Sequence, residues 1–325
     1  MSHPSSAEPG GVRRRAPRRR RWRQAAALAL AAVAVVAAGC DTAATTAGRQ
    51  GRGGVIRVVA AENVWGSLAA QLGGAHVSVR SVIDNPDADP HDYEPTPSDG
   101  RALAAARYVI VNGAGYDPWA PRLLAANPDP DRVVLTVADL VGVKAGGNPH
   151  RWYWPPDVER VIGRITADYQ RLDPADAAAF QRQRVGLETT ALRRYHDLIA
   201  EIRRRYGGTP VGASESIVAP LAQALGLELR TPGSFLNAIS QGIDPTAKDK
   251  ATIDQQLRTR QIKVYVYNRQ NATPDVQAQV RQARAAGIPV TTITETLTPA
   301  GASFQDWQVS QLAALRQALA EASGR

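Results

Sequence analysis

PADAAAFQRQRVGLETTALRRYHDLIAEIRRRY, residues 174–206, decides how the rest of the chain is read. Its only proline is the first residue, its only glycine is Gly186, and Leu192, Tyr195, Leu198, Ile199, Ile202 and Tyr206 recur at helical spacing. A helix of that length reaches on the order of 50 Å, at about 1.5 Å per residue, and serves two bodies at once. Two shorter helices broken near Gly186 are the competing reading. A single long helix is a stiff connector, so large opening and closing motions are expected to be suppressed.

On both sides of this stretch, short β-branched runs alternate with helical patterns, the order expected of parallel sheets flanked by helices. Strands are expected at 55–61 (VIRVVAA), 77–83, 108–113 and 132–137, then at 209–214, 227–230, 262–268 (IKVYVYN) and 288–294. The fold class is therefore α/β, with two lobes, each a roughly four-stranded parallel sheet flanked by helices, joined by one long helix. The limits are 54–172 for the N-terminal lobe, 173–206 for the connecting helix and 207–325 for the C-terminal lobe. Thr96-Pro97-Ser98-Asp99, Asp173-Pro174-Ala175-Asp176 and Thr273-Pro274-Asp275 each offer a capping side chain, a proline at the first helical position and an acid in the first turn. Gly73 and Gly287 stand where a left-handed residue would end a helix.

The formal charge of +9 is concentrated at the N-terminus, where residues 1–39 hold eight arginines against one acid, Glu8. The rest of the chain is nearly balanced, which removes the main argument for a nucleic-acid partner. The arginines precede Ala25 to Ala38, fourteen uncharged small residues, in the layout of a secretory signal over 1–39. That run is short of the roughly twenty residues a transmembrane helix needs. The arginine pairs leave both the general and the twin-arginine export routes open. Cys40 is the single cysteine, so neither an intramolecular disulfide nor a thiolate cluster can form. Residues 40–53 read as a flexible tether.

Ligands of open parallel sheets gather beyond the carboxyl ends of the strands. Four metal-capable side chains are expected there: His91 and His150 from the first half, and Glu215 and Glu295 from the second. Two neutral imidazoles and two carboxylates offset a divalent cation. A proline precedes each histidine and stiffens the loop that presents it. His3, His76 and His196 are expected to have no ligand role. No HExxH or GxSxG segment supports a hydrolase.

Several stretches together resemble a known family: NPDADPHDYEPTPSD (85–99), VNGAGYDPW (111–119), GGNPHRWYWPPDV (146–158), SES (214–216) and TETLTPAGASFQDW (294–307). They look like the zinc- and manganese-type substrate-binding lipoproteins of ABC importers, and the likeness covers essentially Val55 to the C-terminus. The resemblance implies a metal held between the lobes, with zinc or manganese (Zn2+ or Mn2+) as cargo and no enzymatic activity. It implies an ABC permease with its cytoplasmic ATPase as partner, and a monomer. Ala37-Ala38-Gly39-Cys40 resembles a lipobox, which makes Cys40 a lipidation site on the outer face of the cell membrane. The family's fourth ligand is usually aspartate, so Glu295 departs from the pattern. Trp152, Tyr153 and Trp154 are expected to pack around the site, and the loops near Glu215 and Glu295 to order on binding; Asp92 and Glu94 are candidates to support the ligands, with solvated loop acids the equal alternative. A metal-containing surface adhesin is the competing reading, and a metal-dependent hydrolase the next.

Overall fold

The computed structural model describes residues 54–87 and 89–324, so the expected signal, Cys40 and all of the tether lie outside the described residues. Eight strands are found within them, each overlapping an expected run: β1 Ile56–Glu62, β2 Val77–Ile83, β3 Tyr108–Val111, β4 Val133–Thr136, β5 Pro210–Ala213, β6 Glu228–Leu229, β7 Val264–Asn268 and β8 Val290–Ile293. They form two four-stranded sheets ordered β2-β1-β3-β4 and β6-β5-β7-β8. Every pairing is parallel.

A parallel sheet covered on both faces is apolar along the whole strand rather than at alternate residues. β1 shows this, because every residue except Arg57 is buried. Val58 and Ala60 face the helices Asn63–Gly73 and Pro155–Leu172, while Val59 and Ala61 join the core around Leu103 and Trp119 on the other side. The first of these cores continues into the second lobe through Trp152, Tyr153, Phe304 and Trp307. The lobes therefore meet through a packed interior. Such a contact resists hinge motion, since opening it would expose apolar surface.

The long connector is present, with an irregularity in the middle. Pro174–Asp176 form a 3-10 turn, Ala177–Gly186 are α-helical, Leu187–Ala191 are π-helical and Arg193–Tyr206 are α-helical again. Gly186 keeps right-handed helical angles, so it does not break the helix. Within the wide turn, the Leu192 N–H donates to the Leu187 carbonyl at 2.9 Å, and both side chains are buried. One extra residue per turn puts these two leucines on the same face.

The Thr96 capping box and the Thr273 cap form as expected, and Gly287 is left-handed at φ 69°. Two local expectations need correction. Asp173 makes no side-chain cap. The left-handed residue after the first helix is Gly74, at φ 53°, not Gly73. Gly73 answers a different need, because a Cβ there would lie 2.2 Å from the Val77 side chain. Among the described residues, no helix is long and apolar enough to cross a membrane.

Candidate metal centre

Strand ends bring the four expected side chains together. His91 sits in the 3-10 turn Pro90–Asp92 after β2, and His150 lies on the loop that follows β4 and the short helix Val137–Val141. Glu215 and Glu295 each come two residues after a strand, β5 and β8. One ligand atom from each of the four lies within 4.8 Å of the others. His91 Nε2 is 3.4 Å and His150 Nε2 is 3.5 Å from Glu295 Oε2, and His150 Nε2 is 4.0 Å from Glu215 Oε1. Both Nε2 atoms are buried and neither has a formed hydrogen bond. Buried polar atoms without partners are rare and call for an explanation. Two imidazole nitrogens facing two carboxylates fit a cation between them.

The second sheet's order explains how the acids are held. β7 lies between β5 and β8, so its last residue, Asn268, stands between the two carboxylates. Asn268 Nδ2 donates to Glu215 Oε2 at 2.9 Å and to Glu295 Oε1 at 2.6 Å. Ser240 Oγ donates to Glu215 Oε1 at 3.2 Å, and Tyr116 Oη donates across the cleft to Glu295 Oε2 at 2.6 Å. Gln270 Oε1 accepts from the Glu295 backbone N–H at 2.6 Å.

The histidines are oriented by a device that recurs in both loops. Asp89 Oδ1 accepts from the His91 backbone N–H at 2.9 Å, and Asn148 Oδ1 accepts from that of His150 at 3.0 Å. Asn148 Oδ1 also lies 3.0 Å from His150 Nδ1, which favours the tautomer with Nε2 unprotonated. Asn148 Nδ2 donates to the Ser216 carbonyl in the other lobe at 2.6 Å. The Asx-Pro-His repeat at 89–91 and 148–150 is the sequence signal for this arrangement. Trp152 and Tyr153 are fully buried, with the Trp152 ring 5.4 Å from the His150 ring and edge-on to it. Asp92 and Glu94 are exposed, as solvated loop acids are, and it is Asp89 and Asn148 that support the histidines.

The charges are strongly coupled. Burial alone would lower the His91 imidazole, but the Glu295 carboxylate, with Glu215 and Asp89, pushes it up to about 9. Burial holds His150 below its ordinary value despite Glu295. Glu215 is raised by burial and by the charge of Glu295. Glu295 is lowered, because the two imidazoles beside it outweigh its burial. A cavity of about 590 Å³ leads in from the side of His91, lined by Asp89, Tyr116, Asn148, Ser240 and Asn271 among others. The His91 side chain is 22% exposed, whereas His150, Glu215 and Glu295 are at 0%.

The family described as ZnuA, zinc-uptake complex component A, periplasmic, matches residues 58–318. The chain belongs to this family. The family's description is that of a metal-uptake component and not of an enzyme, which speaks against the hydrolase reading. Among its curated relatives, the manganese-binding lipoprotein MntA of Halalkalibacterium halodurans is 30% identical over 148 residues, 45% of this chain and 48% of that protein. The iron-binding protein YfeA of Yersinia pestis is 28% identical over 132 residues, 39% of this chain and 42% of that one. The chain thus spans less than half the length of these relatives. The metal-free S38A variant of the periplasmic metal-binding protein of Candidatus Liberibacter asiaticus superposes with a TM-score of 0.69 at 16% identity, covering 81% of this chain and 99% of that one. At that identity the likeness shows the fold, two parallel-sheet lobes with a long helix.

Proposed function

We propose that this ZnuA-family chain captures a divalent first-row transition metal ion with His91, His150, Glu215 and Glu295 and delivers it to an ABC permease driven by a cytoplasmic ATPase. It works as a monomer held at the outer face of the cell membrane by lipid on Cys40, after removal of residues 1–39. Lobes 54–172 and 207–325 supply two ligands each, and the helix at 173–206 fixes their distance. The observation that carries this reading is the convergence of four strand-end side chains on one point, with both histidine Nε2 atoms buried and unbonded.

Zinc is the favoured cargo, with manganese next. Asn268 occupies one oxygen of each carboxylate, leaving Glu215 Oε1 and Glu295 Oε2 facing the imidazoles. Two nitrogens and two oxygens make a four-coordinate set, which suits zinc, whereas manganese is better served by more oxygen ligands. The acids are already held by Asn268, Ser240 and Tyr116, so the ordering on capture falls to the His91 loop rather than to the loops at Glu215 and Glu295.

Calorimetric titration of the full chain with zinc chloride tests the ligand set. The expected result is one tight equivalent that disappears in His91→Ala/His150→Ala. Retention of that tight equivalent in the double variant overturns the assignment. Zinc and manganese starvation of a deletion strain, with rescue by added metal, tests the transport role against adhesion.

A further inference from the structure

A second group of metal-capable side chains lies at the other end of the first lobe. His76 closes the short turn Gly74–His76 that enters β2, while Asp173 and Asp176 flank the 3-10 turn between the helix Pro155–Leu172 and the connector. One ligand atom from each of the three lies within 4.8 Å of the others. His76 Nδ1 is 2.8 Å from Asp176 Oδ2. The His76 ring stands edge-on to Phe180 at 5.5 Å, which fixes its plane.

Asp173 is the informative member. It is only 7% exposed, yet its carboxylate has no hydrogen bond and no ion pair among the described residues. Its place in Asp-Pro-Ala-Asp should make it a cap, and that bond is not formed. Two carboxylates this close repel each other unless something positive joins them. Among the described residues, no lysine or arginine is paired with Asp173 or Asp176, and the partner of Asp176 is the His76 imidazole.

We propose that His76, Asp173 and Asp176 form a second divalent-cation site, separate from the cleft. One imidazole and two carboxylates neutralise a divalent ion. The His76 and Asp176 side chains are 33% and 36% exposed, so water completes the coordination. This openness, with fewer protein ligands, makes the site weaker than the cleft. The length of β2, about 20 Å at ~3.3 Å per residue, separates His76 from the loop of His91. An ion here ties the entry to β2, the end of the helix Pro155–Leu172 and the start of the connector to one another. Its role is to brace the spine where it leaves the first lobe.

The test uses the full chain carrying His91→Ala/His150→Ala, which removes the cleft's imidazoles and leaves the second cluster intact. Zinc chloride is titrated while the histidine ring resonances are followed by NMR. One weaker equivalent is expected, with the His76 ring shifting on binding. Adding Asp173→Asn, which preserves shape and removes charge, should weaken this event at least about tenfold, the loss seen when even a supporting partner of a metal ligand is removed. A thermal melt of the metal-free Asp173→Asn chain serves as the folding control. If the His76 resonances do not move, or if Asp173→Asn changes nothing, His76 and Asp176 form an ion pair only and the proposal fails. This outcome is independent of whether the tight equivalent maps to the cleft.

Discussion

An asparagine stands at the end of the third strand of each lobe, and the two side chains work at different distances from the metal-capable groups. In the first lobe, Asn112, just after β3, takes the Trp65 indole N–H on Oδ1 at 3.0 Å and donates to the Pro149 carbonyl at 3.0 Å. It steadies the loop that presents His150. In the second, Asn268 at the end of β7 holds the two carboxylates directly. The chemistry of the groups explains the difference. An imidazole is rigid and needs one nitrogen aimed, which a braced loop achieves. Two buried carboxylates repel each other and rotate, so each must be gripped by its own oxygens. In the first lobe's own strand-end acid, Glu62, burial and the neighbouring Asp117 push the carboxyl well above the usual range, which lessens the problem. The acid half of the cleft is thus held by its own hydrogen bonds, while in the imidazole half His150 is fully buried and His91 is partly exposed.

The largest effect that would break this picture comes from the imidazole half. His91→Ala/His150→Ala should weaken zinc binding by about 10⁴-fold, roughly 6 kcal/mol, since four ligands share the roughly 10–16 kcal/mol of a structural zinc site. Equilibrium competition against a chelator measures it. Next comes pH. In the metal-free cleft the His91 imidazole is raised to about 9, so it carries a proton at neutral pH, and Glu215 is raised by burial and by Glu295. Capture should release at least one proton near pH 7, read from calorimetry in buffers of different ionisation enthalpy. Affinity should climb with pH and level off above the His91 value. The metal-free fold should show the opposite trend from this group: its contribution is complete below 6.5, the unperturbed histidine value, and is lost as pH rises through about 9.

The two asparagines provide a sharper contrast. Asn268→Ala should weaken zinc about 10- to 100-fold and narrow the gap to manganese, because the freed oxygens allow more oxygen coordination. Cobalt substitution should show the change as weaker visible absorption. Asn112→Ala should act chiefly on stability, lowering the melting temperature through an unpaired Trp65 indole and Pro149 carbonyl, at about 1–3 kcal/mol for each group left unsatisfied. If both variants behaved alike, the division of labour between the lobes would be wrong. The smallest effect is expected from Tyr116→Phe, which removes one donor to Glu295 and should cost about tenfold in affinity with the zinc-to-manganese ratio little changed.

Much of this was legible in the residues. The strands declared themselves as continuous apolar runs, and the metal-capable groups as the residues following them. The supports were harder to see because the chain brings them from far away: Tyr116 and Glu295 are 179 residues apart, and Asn268 and Glu215 are 53 apart. Asn268 looks like an ordinary strand-end residue until the order β5-β7-β8 places it between two acids. Asp89 and Asn148 were visible in principle, since an Asx two residues before each histidine is a local pattern. The wide turn in the connector had only an indirect trace, the five-residue step from Leu187 to Leu192 in place of three or four.

That turn bears on how the molecule tolerates change. The added residue is absorbed within Leu187–Ala191, and the flanking segments run on as regular α-helix. A gain or loss of one position here alters the pitch of a single coil and leaves the mutual alignment of the lobes alone. The aperture of the cleft is thereby insulated from small drifts in the length of its own backbone strut.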